Sequence, residues 1–357
     1  MSRYIIDINK LKENIEWIQK KASVPVIGVV KGNGYGFCIN EMTDVQKESA
    51  IKTFAVTEVT DIPMLKEVLN DEDILVMRST CIEEEAEIIA ENGCTATIGS
   101  KEACDVMNRV SARLGVKTKC HLKIDTGMGR YGFMPSEVSS AIECYKAENL
   151  EFTGAYTHFP DAFNNIPLTK AQTELFKDTI RQIESAGCNT GTLHCANSPA
   201  LLNTENVCLD SVRIGSAFTG RVITRNKTGL HRIGRLEAEV IETKTVPTGY
   251  SVGYSGSFKT KRETKIAIVP FGHYDGFGLT QDKEELALRN VLSVLKQYLQ
   301  KKRTYVEING INYRVLGKIG LSHTAVDITG SDVKTGDIAK ADISPLLVNP
   351  KIERIYR

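Results

Sequence analysis

The chain has 357 residues, 41% of them hydrophobic and 25% charged, and a net charge of +1. This is the composition of a soluble globular protein, too long for one small core and suited to a large α/β barrel plus a smaller domain. No long basic block points to nucleic acid or an anionic membrane surface as partner, and no run approaches the roughly 18 apolar residues of a membrane span.

The first 220 or so residues alternate between β-branched runs and stretches of helical period. NKLKENIEWIQKK precedes the first run, PVIGVV (25–30). Then come TFAVTEV (53–59), DILVMRS (73–79), TATIG (95–99), KCHLKID (119–125), FTGAYTH (152–158), GTLHCANS (191–198) and DSVRIG (210–215). Helical stretches such as IEEEAEIIAEN, KEACDVMNRVSARLG and KAQTELFKDTIRQIESAG lie between them. Such alternation predicts βαβ units, and eight runs predict a closed (β/α)8 TIM barrel, with an open doubly wound sheet as the alternative. The barrel is expected over 1–228, with the first few residues free to join the second domain. From 229 to 357 short strand-like runs and the Asn309-Gly310 hairpin signal predict a β-rich domain. One helix, about 282–301, interrupts it with a stripe of Leu288, Val291, Leu292, Leu295 and Leu299 suited to packing.

The N-terminus, MSRYIIDINKLKEN, resembles neither a signal nor a transit peptide. Nine scattered cysteines without a CxxC pair suggest reduced thiols, and a cytoplasmic protein is expected. Six histidines include no HExxH and no His/Cys cluster, so no metal site is expected.

In such a barrel, functional groups gather at the C-terminal ends of the strands. The suspicious residues fall there: Lys31 after strand 1, Lys123, Asp125 and Arg130 after strand 5, and His158 after strand 6. Asn197 and Ser198 follow strand 7, and Arg213, Gly215 and Ser216 close strand 8. A lone lysine at a strand end is ordinarily a solvated rim charge, but Gly32, Gly34 and Gly36 admit close approach of backbone to a ligand. A lysine in a partly dry pocket loses proton affinity and can form an imine with a carbonyl. Tyr35 can donate to an anion. VRIGSAFTG (212–220) offers backbone N–H groups to a phosphate, and Ser198 adds a hydroxyl, although by itself it reads as a helix N-cap. Arg213 alone reads as well as a structural ion pair. An imine-forming lysine beside a phosphate cup suggests pyridoxal 5'-phosphate as cofactor.

VVKGNGYGF (29–37), KIDTGMGRYGF (123–133), YTHF (156–159), ANSPA (196–200), VRIGSAFTG, VGYSGSF (252–258) and VPFGHYDGF (269–277) resemble, in order, the motifs of the alanine racemase family. The resemblance covers nearly the whole chain. It implies a barrel followed by a β domain, pyridoxal phosphate as cofactor, a small amino-acid substrate, and a homodimer with shared active sites. By matching position, Lys31 resembles the imine-forming lysine, and Tyr35, Ser198, Gly215 and Ser216 resemble phosphate contacts. His158 resembles the histidine beside the cofactor ring, with Asn197 nearby, and Arg213 the arginine facing the pyridine nitrogen. Arg130 resembles the arginine near the substrate carboxylate, and Lys123 a lysine often carbamylated in the family. Tyr254 resembles the second catalytic base, supplied by the partner subunit.

Three departures stand out. VLGKIGLSHT puts Gly320, Leu321, Ser322 and His323 where the family has Cys-Met-Asp-Gln, leaving the Leu321 backbone N–H to meet a carboxylate. His273 stands where a gate tyrosine is expected, and Pro350 where a phosphate-binding tyrosine is. Alanine is the expected substrate; serine or a larger or basic amino acid is the alternative. A non-catalytic pyridoxal-phosphate carrier would lack the second domain and a Tyr254-like base. A decarboxylase or aldolase on the related fold is the third reading, and decarboxylases favour an acidic residue where Arg213 stands.

Overall fold

The computed structural model describes residues 1–224, 227–280 and 304–357. The chain forms two compact units, Ile8–Ile233 and Met1–Asp7 with Gly234–Arg357. The division thus lies at Ile233, past the expected 228. The helix expected at about 282–301 lies outside the described residues.

The first unit is an eight-stranded parallel barrel. Its strands are β1 (Val26–Val29), β2 (Thr53–Val56), β3 (Asp73–Ser79), β4 (Thr95–Ile98), β5 (Thr118–Lys123), β6 (Leu150–Tyr156), β7 (Thr192–His194) and β8 (Val212–Ile214). Each pairs in parallel with its sequence neighbour from β1 to β7, and β8 returns to β1. A single bridge between His194 and Ser211 brings β7 to the start of β8. Strands β1, β2 and β4 are buried on nearly every residue, as a sheet covered by helices requires. The helix Ile8–Ala22 buries Leu11, Ile15 and Ile18 on one stripe. Its buried Asn14 donates from Nδ2 to the carbonyls of Phe218 (2.8 Å) and His231 (2.7 Å) and accepts from the His231 N–H. One polar side chain thereby ties the start of the unit to its end.

The second unit is a nine-stranded sheet. The N-terminal strand Arg3–Ile6 joins it, antiparallel to Gly234–Glu239 and parallel to Arg354–Tyr356. Strands Tyr305–Ile308 and Ile311–Leu316 form the expected hairpin, with Asn309 and Gly310 at φ 52° and 78°, the double positive φ of a tight two-residue turn. The strand-like run YSVGYSGSF is not one continuous strand. It holds only the short pair Ser251–Val252 and Phe258–Lys259, joined through a turn at Tyr254–Gly256. Gly253, Ser255 and Gly256 all have positive φ there, which breaks an extended run.

Candidate active site

Backbone handedness organises the segment after β1. Gly32, Asn33, Gly34 and Tyr35 have φ of 62°, 54°, 63° and 57°, so they trace one left-handed turn. That conformation costs an ordinary L-residue about 1–2 kcal/mol, a penalty glycine escapes and asparagine tolerates. Bonds from Gly34 N to Val30 O (2.8 Å), Gly36 N to Gly32 O (2.9 Å) and Ile39 N to Asn33 Oδ1 (2.9 Å) hold the turn closed. The glycines therefore set direction as well as leaving room: a Cβ on Gly32 would meet nothing within 4 Å. Half-buried Lys31 opens this turn. Burial, then Arg130, then Arg213 lower its amine below the usual lysine range.

Arg213, on β8, lies at the centre of the mouth and is buried. Its Nη1 donates to His194 Nδ1 (2.6 Å) and the His194 carbonyl (2.9 Å). Its Nη2 donates to the carbonyls of Thr157 (2.7 Å) and Cys195 (3.2 Å) and reaches His158 Nδ1 at 3.4 Å. The guanidinium lies 4.9 Å from the ring centre of Tyr156, which stacks on His194. No carboxylate pairs with Arg213 among the described residues, so the ion-pair alternative does not hold. Burial lowers its pKa, and burial followed by the Arg213 charge pushes His158 well below the usual histidine range.

Ser198 and Asn197 divide their work differently from the expectation. Asn197 is the helix cap: its side chain accepts from Ala200 N at 3.0 Å, and its Nδ2 donates to Phe159 O at 3.3 Å. That leaves the Ser198 hydroxyl to accept from Gly215 N (3.2 Å) and Ala217 N (3.3 Å). Two backbone donors thus converge on one oxygen at the end of β8, with half-buried Ser216 between them. Tyr35 closes the cup. A Cβ on Gly215 would stand 2.5 Å from Tyr35 Cε2 and 2.6 Å from Cζ, so only glycine admits the phenol. Burial pushes Tyr35 up to about 12, which keeps it a donor.

Beyond β5 the chain folds around Asp125. Its carboxylate accepts from the N–H groups of Gly127 (2.9 Å), Met128 (2.7 Å), Gly129 (2.9 Å) and Arg130 (3.2 Å). Burial alone would raise this acid, but the backbone donors hold it below its usual value. The loop so pinned carries Arg130, exposed and 5.0 Å from the ring centre of Tyr131. Lys123 is buried and donates to Ile124 O at 2.8 Å. Burial and Arg213 lower it to about 7.

Lys31, Tyr35, Lys123, Arg130, His158, Asn197, Ser198, Arg213, Gly215 and Ser216 thus all lie at or near the C-terminal ends of the barrel strands. Tyr254, Leu321 and His273 gather separately in the β-rich unit. Tyr254 is 69% exposed, on its tight turn, and its ring passes close to Gly320. The Gly320 and Leu321 carbonyls accept from His273 N (3.0 Å) and Tyr274 N (2.8 Å), and His273 Nδ1 lies 3.0 Å from Phe277 O. Pro350 offers its carbonyl to Arg354 at 3.2 Å. Sequence reasoning assigned no role to His194, His121 or Tyr156. The available signal was period two: Lys119, His121 and Lys123 share one face of β5.

The family model for the N-terminal domain of alanine racemase matches residues 6–222, and that for its C-terminal domain matches residues 233–343. An alanine racemase of Methanococcus maripaludis is 30% identical over 343 residues, 93% of this chain and 86% of that protein. One of Chlorobaculum tepidum is 28% identical over 349 residues, 95% of this chain and 86% of that protein. Among solved structures, the alanine racemase of Clostridium difficile 630 is similar with a TM-score of 0.87 at 24% identity, covering 100% of this chain and 95% of that one. The alanine racemase of Bartonella henselae, solved with covalently bound pyridoxal phosphate, has a TM-score of 0.81 at 21% identity over 100% and 99% of the two chains.

Proposed function

The chain belongs to the alanine racemase family, and from that premise we propose that it racemises alanine with two bases, Lys31 and a Tyr254 supplied by a second copy of the chain. The family assignment makes it a racemase dependent on pyridoxal phosphate. When bound, that group supplies an electron sink that makes the Cα–H of the amino acid it carries acidic.

The residues present fit such a group. Gly215 and Ala217 N–H, the Ser198 hydroxyl and the Tyr35 phenol form a donor-rich cup for a phosphate, on a glycine where a Cβ would strike Tyr35. Arg213 is a buried cation without a carboxylate partner among the described residues, which favours an acceptor such as an unprotonated ring nitrogen. Arginine holds its proton tightly, so it donates a hydrogen bond there without handing the proton over.

The observation that carries the reading is Lys31 itself. Its amine opens the left-handed turn, has reduced proton affinity, and feels both Arg130 and Arg213. Such an amine can tether the cofactor and then take or return a proton on one face of Cα. Inverting a carbon requires a second group on the other face. Tyr254 is exposed in its own chain and therefore open to a neighbouring copy. Arg130 holds the substrate carboxylate. Lys123, with a pKa of about 7, is partly neutral at neutral pH. Its nitrogen can add to CO2, releasing one proton and leaving a carbamate whose negative charge steadies Arg130.

Mixing two inactive variants tests the shared site. Lys31→Ala and Tyr254→Phe homodimers each lack one base at every site. Random exchange makes half of the dimers hybrids, and each hybrid restores one of its two sites, so about a quarter of native alanine racemisation should return. No recovery rejects a shared site, and a native protein that leaves the optical activity of L-alanine unchanged rejects the function.

A further inference from the structure

A second chain of contacts runs through the barrel core beneath the mouth. His121, on β5, fits its ring into a slot left by Gly154 on β6, where a Cβ would stand 2.6 Å from Nε2 and 2.7 Å from Cδ2 and Cε1. The strand register makes that slot: Cys120 pairs with Phe152 but His121 pairs with Gly154, so Thr153 is skipped. His121 Nδ1 lies 2.9 Å from His194 Nε2, and His194 Nδ1 lies 2.6 Å from Arg213 Nη1.

The protons in this row have one consistent arrangement. A guanidinium only donates, so His194 Nδ1 must accept from Arg213. A neutral His194 then carries its proton on Nε2 and donates it to His121 Nδ1. Burial and the Arg213 charge push His121 down to about 4 and His194 well below its usual range, so both rings are neutral near neutral pH. His121 also lines a cavity of about 720 Å³ at the N-terminal face of the barrel, together with Ser211 and Thr153. The hydroxyls of Ser211, itself 2% exposed, and Thr153 have no hydrogen-bond partner among the described residues. Polar groups lining a space of this size suit ordered water, which would meet the remaining ring nitrogen of His121.

We propose that His121 is a positioning residue for Arg213: as the acceptor for His194 Nε2–H, it holds the one tautomer of His194 that can receive the Arg213 guanidinium, and so aims that guanidinium from below. The proposal rests on the racemase reading only for what Arg213 is aimed at; the tautomer claim concerns the chain alone.

The experiment compares the native chain with His121→Gln and His121→Leu. Glutamine keeps an acceptor for His194, and leucine does not. Nitrogen-15 NMR of the histidine-labelled chain without cofactor should find His194 protonated on Nε2 in the native protein and the glutamine variant, and a mixture of tautomers in the leucine variant. With pyridoxal phosphate, kcat for alanine should fall about tenfold in the leucine variant, the worth of one buried hydrogen bond. KM should change little, and glutamine should restore most of kcat. A folded leucine variant with the native His194 tautomer and native kcat overturns the proposal. If the leucine variant does not fold, a native His194 carrying its proton on Nδ1 overturns it equally. Loss of the racemase reading would show separately, as a native protein without racemisation whose tautomers still follow the acceptor at 121.

Discussion

Gly215 tests the cup at the end of β8. Its φ is ordinary, so Gly215→Ala adds a methyl group without backbone strain, and the effect is steric alone. That methyl would stand 2.5–2.6 Å from the Tyr35 ring, about 1 Å inside ordinary carbon contact. Tyr35 is partly buried against the barrel core and its backbone is fixed in the left-handed turn, so the ring has little freedom to retreat. Overpacking of this size costs about 1–3 kcal/mol. Urea unfolding of the chain without cofactor should show that loss at an unchanged m value. Titration with pyridoxal phosphate should show weaker binding, because Tyr35 and the Gly215 N–H move together. Combining Gly215→Ala with Tyr35→Ala should recover at least about 1 kcal/mol relative to the sum of the single losses, since removing the ring removes the collision. Native stability and native cofactor affinity in Gly215→Ala would refute the steric account of the cup, as would strict additivity in the double variant.

Two further outcomes follow from the loop after β5. Lys123 is lowered from an ordinary 10.5 to about 7, so between those values the unfolded chain binds the extra proton and this group makes stability rise with pH. In bicarbonate-free buffer, Lys123→Met should flatten the rise in stability across that window; an unchanged slope refutes the shift. Asp125→Asn removes the charge that four backbone donors share and should cost about 1.5–3 kcal/mol in urea unfolding. Because the Asp125 acid is held below its usual 3.8, its stabilisation is present above that value and disappears as pH falls through the lower folded value. The variant should therefore lose part of the native acid sensitivity, and equal acid sensitivity in both proteins would contradict the assigned role.

Much of the barrel was legible because its strands are short apolar runs set between helical periods. DILVMRS matches Asp73–Ser79 end to end, and all eight runs contain the core of a strand. Residues expected at strand ends reached the mouth for the same reason, since a strand position fixes its end and face. Choices between near-equals were less legible. Asn197 and Ser198 can both cap a helix, and only the arrival of Gly215 and Ala217 beside the serine decides which one does. The Tyr254 segment alternates like a strand, but the positive φ of Gly253, Ser255 and Gly256 turns it sharply. The His121–His194 contact joins strands 73 residues apart and depends on a register slip opposite Gly154. No local pattern encodes a slip of that kind.

The turn that follows Lys31 winds against the preference of its own building blocks. At Gly32 and Gly34 the achiral residue leaves the mirror-image coil open, and Tyr35 accepts it under duress. Residues of the opposite chirality would sit there at ease. A chain assigned to make D-amino acids thus holds its key lysine on a stretch of backbone shaped as D-amino acids would shape it, and chemical synthesis placing a D-residue at 32 would relax the very coil that an L-alanine there would strain.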